Sequence, residues 1–351
     1  NPPAVVLDAG LRIAAVSVAA GLIRRRSAFA CSKAHRRRDR CGRNPVAQPE
    51  KGGAVPVIYT ISAGPVYRFG DVQVINKTGP GARLDPGFLP KRLEHLEGDV
   101  YNPERLDEAY REMLRTGLFT NLRVNPVPQP DRTLRLELTV EEAKSKAVGY
   151  TLGYASYDGV TIGIRLADRN LGGRGRPLTF AADFTQRGVR GELLYVDPWL
   201  FDTSYELRAR IYSADREEKG YLVEETGVRF DVSRRLGKHF ELGVFIEHEN
   251  GKITESGIDP IFLGPTDYFL TVLGLTQSYD RRDNEINPTR GWVMTSALDV
   301  GLIDGKIIFF RGVGRLSYYK PIGRNLLALG ARVGVLSPQA GSVPIEVGFF
   351  N

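Results

Sequence analysis

A two-residue alternation, sustained in segment after segment from Val148 onward, constrains this chain more than any other feature. Val148, Tyr150, Leu152 and Tyr154 alternate with Gly149, Thr151, Gly153 and Ala155. Leu178, Phe180, Ala182 and Phe184 alternate with Thr179, Ala181, Asp183 and Thr185, and Tyr205, Leu207, Ala209 and Ile211 with Glu206, Arg208 and Arg210. A period of two is the period of a strand, whose successive side chains point to opposite faces. Here one row is apolar and the other is small, polar or charged. A wall with lipid on one side and water on the other requires that division. The sequence therefore predicts an antiparallel transmembrane β-barrel and a protein whose first partner is a lipid bilayer.

Composition does not oppose this. Mean hydropathy is −0.23, as expected when every second wall residue is polar, and 39 Gly and 15 Tyr suit curved sheet and interfacial aromatic girdles. The longest apolar stretch, Ala4 to Ile23, is interrupted by Asp8 and Arg12 and falls short of a spanning helix. The net charge of +7 is local: residues 1–54 hold eleven basic and three acidic groups, a net of +8. The remaining 297 residues hold 37 basic and 38 acidic groups, a net of −1. That balance leaves no electrostatic footprint for nucleic acid outside the leader. Within the leader, Cys31 and Cys41 with His35 supply too few ligands for zinc. Arg24–Arg26 follow the apolar run where a signal peptide would place them before it. Residues 1–54 are expected to be an unstructured, or non-native, basic leader.

Between leader and wall lies a small α/β pattern. Residues 55–62 read as one strand and Tyr67–Asn76 as a second. A first helix is expected over Pro86–Leu96, with Phe88, Leu89, Leu93 and Leu96 on one stripe. A second has Asn102 as N-cap, Pro103 at its first position and Gly117 past its end, with Leu106, Ala109, Tyr110, Met113 and Leu114 as its stripe. Strands over Phe119–Val127 and Thr133–Val140 follow, joined by Pro128–Asp131. The order β-α-α-β-β implies a small sheet with two helices on one face.

The segments "GPVYRFGDVQVIN", "YNPERLDEAYREMLRTGLFTNLRV" and "LRLELTVEEAK" together resemble a POTRA domain, the periplasmic module of the BamA/TamA-type outer-membrane assembly family. In the wall, "RNLGGRG" at Arg169–Gly175, "YVDPWLF" at Tyr195–Phe201 and "YDRRDNEINPTRGW" at Tyr279–Trp292 are similar to turns of the bacterial surface antigen barrel of that family. The resemblance covers about residues 55–351 and implies this organisation: 55–62 the last strand of a preceding POTRA domain, 65–144 a POTRA domain, and 148–351 the N-terminal part of an outer-membrane barrel. It also implies a POTRA domain in the periplasm, unfolded outer-membrane protein clients, and periplasmic or lipoprotein accessory subunits.

About eleven wall strands are legible, over 148–157, 160–169, 177–187, 190–197, 203–213, 221–233, 238–248, 267–280, 290–302, 306–319 and 325–336. An odd number cannot close a bacterial barrel, since an open edge in hydrocarbon leaves backbone groups unpaired at several kcal/mol each. The chain is thus expected to be a truncated fragment with about eleven of about sixteen strands, the rest following Asn351. In the family, strand eleven leads into an external loop that folds back into the lumen, and "SVPIEVGFFN" is similar to the approach to that loop.

No G-x-S-x-G elbow, H-E-x-x-H pair or P-loop is present, so no catalytic residue, cofactor site or metal site is assigned and no enzyme activity is expected. "GGRGRP" at Gly172–Pro177 joins two strand patterns and does not open a helix, which makes it a turn and not a phosphate loop. Three candidate elements remain. The edge carried by Phe119, Asn121, Arg123 and Val127 either accepts a client as an added strand or only completes the sheet. The first wall strand, with Val148, Gly149, Tyr150, Gly153 and Tyr157, corresponds to the family's lateral seam. Its glycines suit a labile seam, and simple curvature is the safer reading. Asp280, Arg281, Arg282 and Asp283, with Pro288 and Gly291, either pair across the lumen mouth or form an ordinary polar turn, the reading favoured. Arg165, Asp183, Arg208, Arg210, Arg229, Asp231 and Arg332 fall on the lumen-facing row and are expected to need partners there. An assembly or translocation factor is the leading reading. The alternatives are a dedicated two-partner-type secretion pore, or the barrel anchor of an N-terminal hydrolase.

Overall fold

The computed structural model describes residues 6–17, 65–254, 257–259, 263–339 and 341–347, with side chains described from residue 65 onward. The expected strand over 55–62 lies outside the described residues. In the module, β2 (Arg68–Asn76) is followed by α1 (Phe88–Leu93), a 3-10 turn over Glu94–Leu96, α2 (Pro103–Arg115), β3 (Phe119–Pro128) and β4 (Thr133–Glu142). The sheet order is β2-β4-β3, with β2 parallel and β3 antiparallel to the central β4. The second helix starts where its punctuation says: the Asn102 side chain accepts the Glu104 amide at 2.9 Å, and Gly117 takes φ +66 just past the end. Phe88, Leu89, Leu93 and Leu96 join Leu106, Ala109 and Met113 in one core against β4. Truncating any one of the buried leucines to Ala costs about 2–5 kcal/mol. Leu114, expected on the buried stripe, lies on the exposed flank of α2.

Three residues after β4 the chain enters the wall: β5 (Lys146–Ala155), β6 (Gly159–Leu171), β7 (Arg176–Thr185), β8 (Gly188–Asp197), β9 (Tyr205–Glu218), β10 (Tyr221–Leu236), β11 (Phe240–Thr254), β12 (Asp267–Asp280), β13 (Gly291–Ile303), β14 (Ile307–Ile322) and β15 (Asn325–Pro338). These eleven strands form an antiparallel meander, each paired with its sequence neighbours. All three alternations read from the sequence survive in register, with the apolar row on the outer face. Leu273, Leu298 and Ile211 expose more than half of their surface there. An apolar band of this extent needs a nonaqueous cover.

Two expectations are corrected. β9 runs to Glu218 and β11 to Thr254, so Asp215–Glu218 and Glu249–Thr254, expected as loop, belong to the wall. Their charges do not break the strands because alternate positions face inward to partners. Within the leader expected to be unstructured, Val6–Ser17 forms a strand, β1, paired antiparallel with β15 from Val6↔Leu336 to Ser17↔Asn325. As a helix the segment is interrupted by Asp8 and Arg12. At period two both charges fall on one row, opposite Leu7, Ala9, Leu11 and Ile13 in sequence. Among the described residues, β5 has one strand neighbour, β6, and its other edge is unpaired.

Candidate functional site

The inner face of β9–β14 holds an ordered set of side chains. Cross-strand partners repeatedly match an aromatic ring with a glycine: Tyr212 with Gly227, Phe245 with Gly274, Tyr268 with Gly251 and Phe309 with Gly301. In each pair a Cβ on the glycine would run into the facing ring. The glycines are thus recesses for rings, a use distinct from curvature. Beside the rings runs an ion network. Arg229 binds Asp231 at 2.8 Å and Glu247 at 3.0 Å, and its guanidinium stands 3.6 Å from the Phe245 centroid. Arg210 reaches Glu247 at 3.4 Å, while the Tyr212 hydroxyl donates to Glu249 at 2.6 Å. Arg311 pairs with the buried Asp299 at 3.1 Å. Each charge removed from bulk water here has a partner, which avoids the cost of burying it alone.

Beyond β15, residues 341–347 turn back onto this inner face. Val347 is buried among Phe245, Leu270 and Phe309, and Ile345 packs against Val223 and Ile253. Glu346 makes a 2.7 Å ion pair with Arg216, which also holds Glu225 at 2.9 Å, and Arg311 donates to the Val347 carbonyl at 3.4 Å. The returning segment is thus pinned by two wall arginines and an apolar end.

All seven charged residues expected on the lumen row stand there by register. Glu192, Arg216, Glu225, Glu247, Glu249, Asp299 and Arg311 join this row beyond the residues expected there. Parity marks them, but Arg216 and Glu249 lie in stretches whose charge reads as loop, which hides the register of that end.

At the opposite rim the module docks on the wall. The Asp85 amide donates to the Gly173 carbonyl at 2.9 Å, and Phe88 meets Trp199 edge to face at 5.5 Å. Arg92 lies 4.5 Å above the Trp199 ring, and Asp202 bridges Lys91 at 3.0 Å and Arg92 at 2.5 Å. The Lys91 hydrogen bond and the nearby Arg92 charge hold the Asp202 carboxyl below the usual range, against a smaller opposing effect of burial. Gly173, at φ +78, lets the "RNLGGRG" turn approach: a Cβ there would stand 2.6 Å from the Arg83 carbonyl. Lys238 in the β10–β11 turn reaches Glu108 of α2 at 2.9 Å.

The remaining candidates are placed as follows. Phe119, Asn121, Arg123 and Val127 lie on β3, an edge strand of the module sheet, with Asn121 and Arg123 exposed. Pro126 and Pro128 share the parity of Leu122, whose carbonyl accepts the Tyr110 hydroxyl at 3.0 Å. Proline fits a paired strand where its missing N–H faces away from the partner, so this edge offers outward donors only in its first half. Val148, Gly149, Tyr150 and Gly153 lie on β5, all of whose residues are exposed. Tyr157 is not part of that strand. The Asp158-Gly159 turn, with Gly159 at φ +71, ends the pairing at Ala155, and the Tyr157 hydroxyl donates to Glu218 at 2.9 Å. Asp280, Arg282 and Asp283 bond within their own turn: Asp280 to Arg282 at 2.5 Å, and Asp283 to the Thr289 hydroxyl and the Thr289 and Arg290 amides. Those bonds draw the Asp283 carboxyl down to about 2. Arg281 reaches the Tyr279 hydroxyl at 3.1 Å, Pro288 sits inside the turn, and Gly291 opens β13 at φ +105 where a Cβ would strike the Arg281 carbonyl.

The fold is shared with solved proteins. The crystal structure of BamA from Haemophilus ducreyi lacking POTRA domains 1–3 superposes with a TM-score of 0.60 at 13% identity, covering 93% of this chain and 60% of that one. CdiB from Escherichia coli gives 0.53 at 13% identity over 86% of this chain and 59% of that one. In sequence, the outer membrane protein assembly factor BamA of Neorickettsia risticii (strain Illinois) is 22% identical over 175 residues, which is 50% of this chain and 23% of the relative. The chain therefore spans less than two thirds of each of these proteins. The Omp85 superfamily domain matches residues 170–351, from the "GGRG" turn through the inward-returning segment. With wall register, docked module and returning segment all in place, the chain belongs to the Omp85 superfamily.

Proposed function

We propose that this chain is the module-and-wall part of an outer-membrane protein assembly or translocation factor. The 65–144 module acts as a POTRA domain in the periplasm, and β5–β15 form part of a barrel of about sixteen strands. The observation that carries this reading is β5. It follows the module by three residues and pairs with β6 from Lys146 to Ala155. Its inner row, Gly149, Thr151, Gly153 and Ala155, contributes little packing. Such a strand can exchange a weak seam partner for an incoming client strand, with main-chain hydrogen bonds tolerating many client sequences. The first half of the β3 edge offers a second place for strand addition, with Asn121 and Arg123 beside it. Accessory subunits would engage the module. No step requires an enzyme residue.

A second reading, a dedicated secretion pore serving one partner, fits the same wall and docked module, a fold shared with CdiB. Depletion in the source organism separates the two. An assembly factor predicts loss of many barrel proteins from the outer membrane, and a dedicated pore predicts loss of one exported protein. An unchanged outer-membrane proteome would overturn the assembly reading.

A further inference from the structure

The junction between module and wall encloses a pocket of about 70 Å³ with an unusual charge balance. Lys91, Arg92, Arg174 and Arg176 line it against only three carboxylates, Asp85, Asp197 and Asp202. Asp202 serves Lys91 and Arg92 together, Arg176 pairs with Asp197 at 2.9 Å, and Arg174 lies a loose 3.6 Å from Asp85. One positive charge is therefore left over. Arg92 is nearly buried, fixed between Phe88 and Trp199, and its Nε has no hydrogen-bond partner among the described residues. Lys91 and Arg174, by contrast, keep more than half of their side-chain surface exposed and can reach outward.

The position of the pocket identifies the ligand. Arg176 and Asp197 continue the outer rows of β7 and β8, two residues below the cross-strand pair Leu178↔Tyr195. Two residues of strand span about 7 Å. The layer between hydrocarbon and water is of the same depth on each side of a bilayer. The pocket thus faces the outside of the wall, beneath the last apolar residues of β7 and β8 and level with Leu207 of β9, where hydrocarbon gives way to headgroups. We propose that it binds the phosphodiester of a glycerophospholipid in the module-side leaflet, with Lys91 and Arg174 as the movable contacts and Arg92 and Arg176 as the fixed ones. A single phosphodiester carries the one negative charge that the cluster lacks, and charge-assisted bonds to Arg and Lys are the strong kind. The lipid would then clamp module to wall, because its two movable contacts come one from each. This inference needs the wall to sit in a bilayer but is independent of which client the protein serves.

The test uses the full-length protein in detergent, stripped of lipid and titrated with short-chain phosphatidylglycerol or with inorganic phosphate, bound ligand being read by native mass spectrometry. The parent protein is expected to retain one lipid equivalent. The double variant Lys91→Gln, Arg174→Gln should retain it roughly thirtyfold more weakly, from about 1 kcal/mol per cation near a lipid surface. Arg324→Gln, an exposed cation in the β14–β15 turn outside the pocket, should bind as the parent does. Equal retention by parent and double variant would overturn the proposal. So would equal loss in the Arg324 variant, which would mean diffuse attraction, or inorganic phosphate binding as tightly as lipid, which would mean a free-anion site. Unchanged heat-modified gel migration shows that each variant is folded.

Discussion

From β9 to β15 the inner face is filled with rings seated over glycines, paired charges and the returning segment, whereas from β5 to β8 it is nearly bare. Among the described residues, no buried apolar side chain falls in β5–β8, and a Cβ on Gly153 would meet nothing within 4 Å. The two halves share strand geometry and an outer apolar row, so hydrogen bonding and lipid contact do not separate them. Lumen packing does. The bare half is braced from outside its lumen: the turns that receive the module, at residues 170–175 and 198–204, border β6–β9. Among the described residues, β5 is thus the wall strand whose side chains pack least against the rest.

The largest effect expected from this contrast is in matched glycine substitutions. Gly301→Val drives a side chain into the Phe309 ring and should destabilise by about 3 kcal/mol or more, whereas Gly153→Val should change stability by within about 0.5 kcal/mol. Urea unfolding in lipid vesicles reads both, and equal effects would erase the distinction between the halves. Next, Arg216→Ala leaves the carboxylates of Glu225 and Glu346 without their shared cation. A loss on the order of 2–3 kcal/mol is expected, less than for a fully buried pair because Arg216 is partly exposed. Protease access to residues 341–347 should rise in parallel.

The strand content of both halves was legible because period two is a local signal: all eleven wall strands and the rows carrying Arg165, Arg210 and Arg229 follow from it. The seating of Phe309 over Gly301 was not legible, because it depends on which residues face each other across strands, and register is set by turn lengths that sequence locates only to a residue or two. The same uncertainty makes Arg216 and Glu249 read as loop. Leader strand β1 is hidden at helical length, because its alternation shows only at period two. In the module, capping at Asn102 and the stripe from Phe88 to Leu96 were read correctly. The docking of Arg92 on Trp199 joins residues more than a hundred positions apart and carries no local mark.

Two smaller effects sharpen the role of the module as a brace. Gly173→Ala puts a Cβ against the Arg83 carbonyl at a residue with positive φ. It should loosen docking by about 1–3 kcal/mol, seen as faster hydrogen exchange in α1 with β9–β15 unchanged. The Asp202 bridge should respond to pH. Its carboxyl is held below its ordinary value of about 4, so its contribution is fully present above that value and fades as pH falls through the lowered one. For a half-exposed pair about 0.2–1 kcal/mol is at stake, and Asp202→Asn should remove the loss of α1 protection on acidification, measured relative to intrinsic exchange rates.

All of this presupposes that the outer row meets acyl chains while the inner row stays wet. Nitroxide labels placed singly from Glu206 to Ile211 on β9, in protein reconstituted into lipid vesicles, test that directly. Labels at Leu207, Ala209 and Ile211 should collide with oxygen, and labels at Glu206, Arg208 and Arg210 with a water-soluble nickel chelate, in strict alternation. Uniform access of the nickel chelate to all six positions would contradict a membrane-spanning wall.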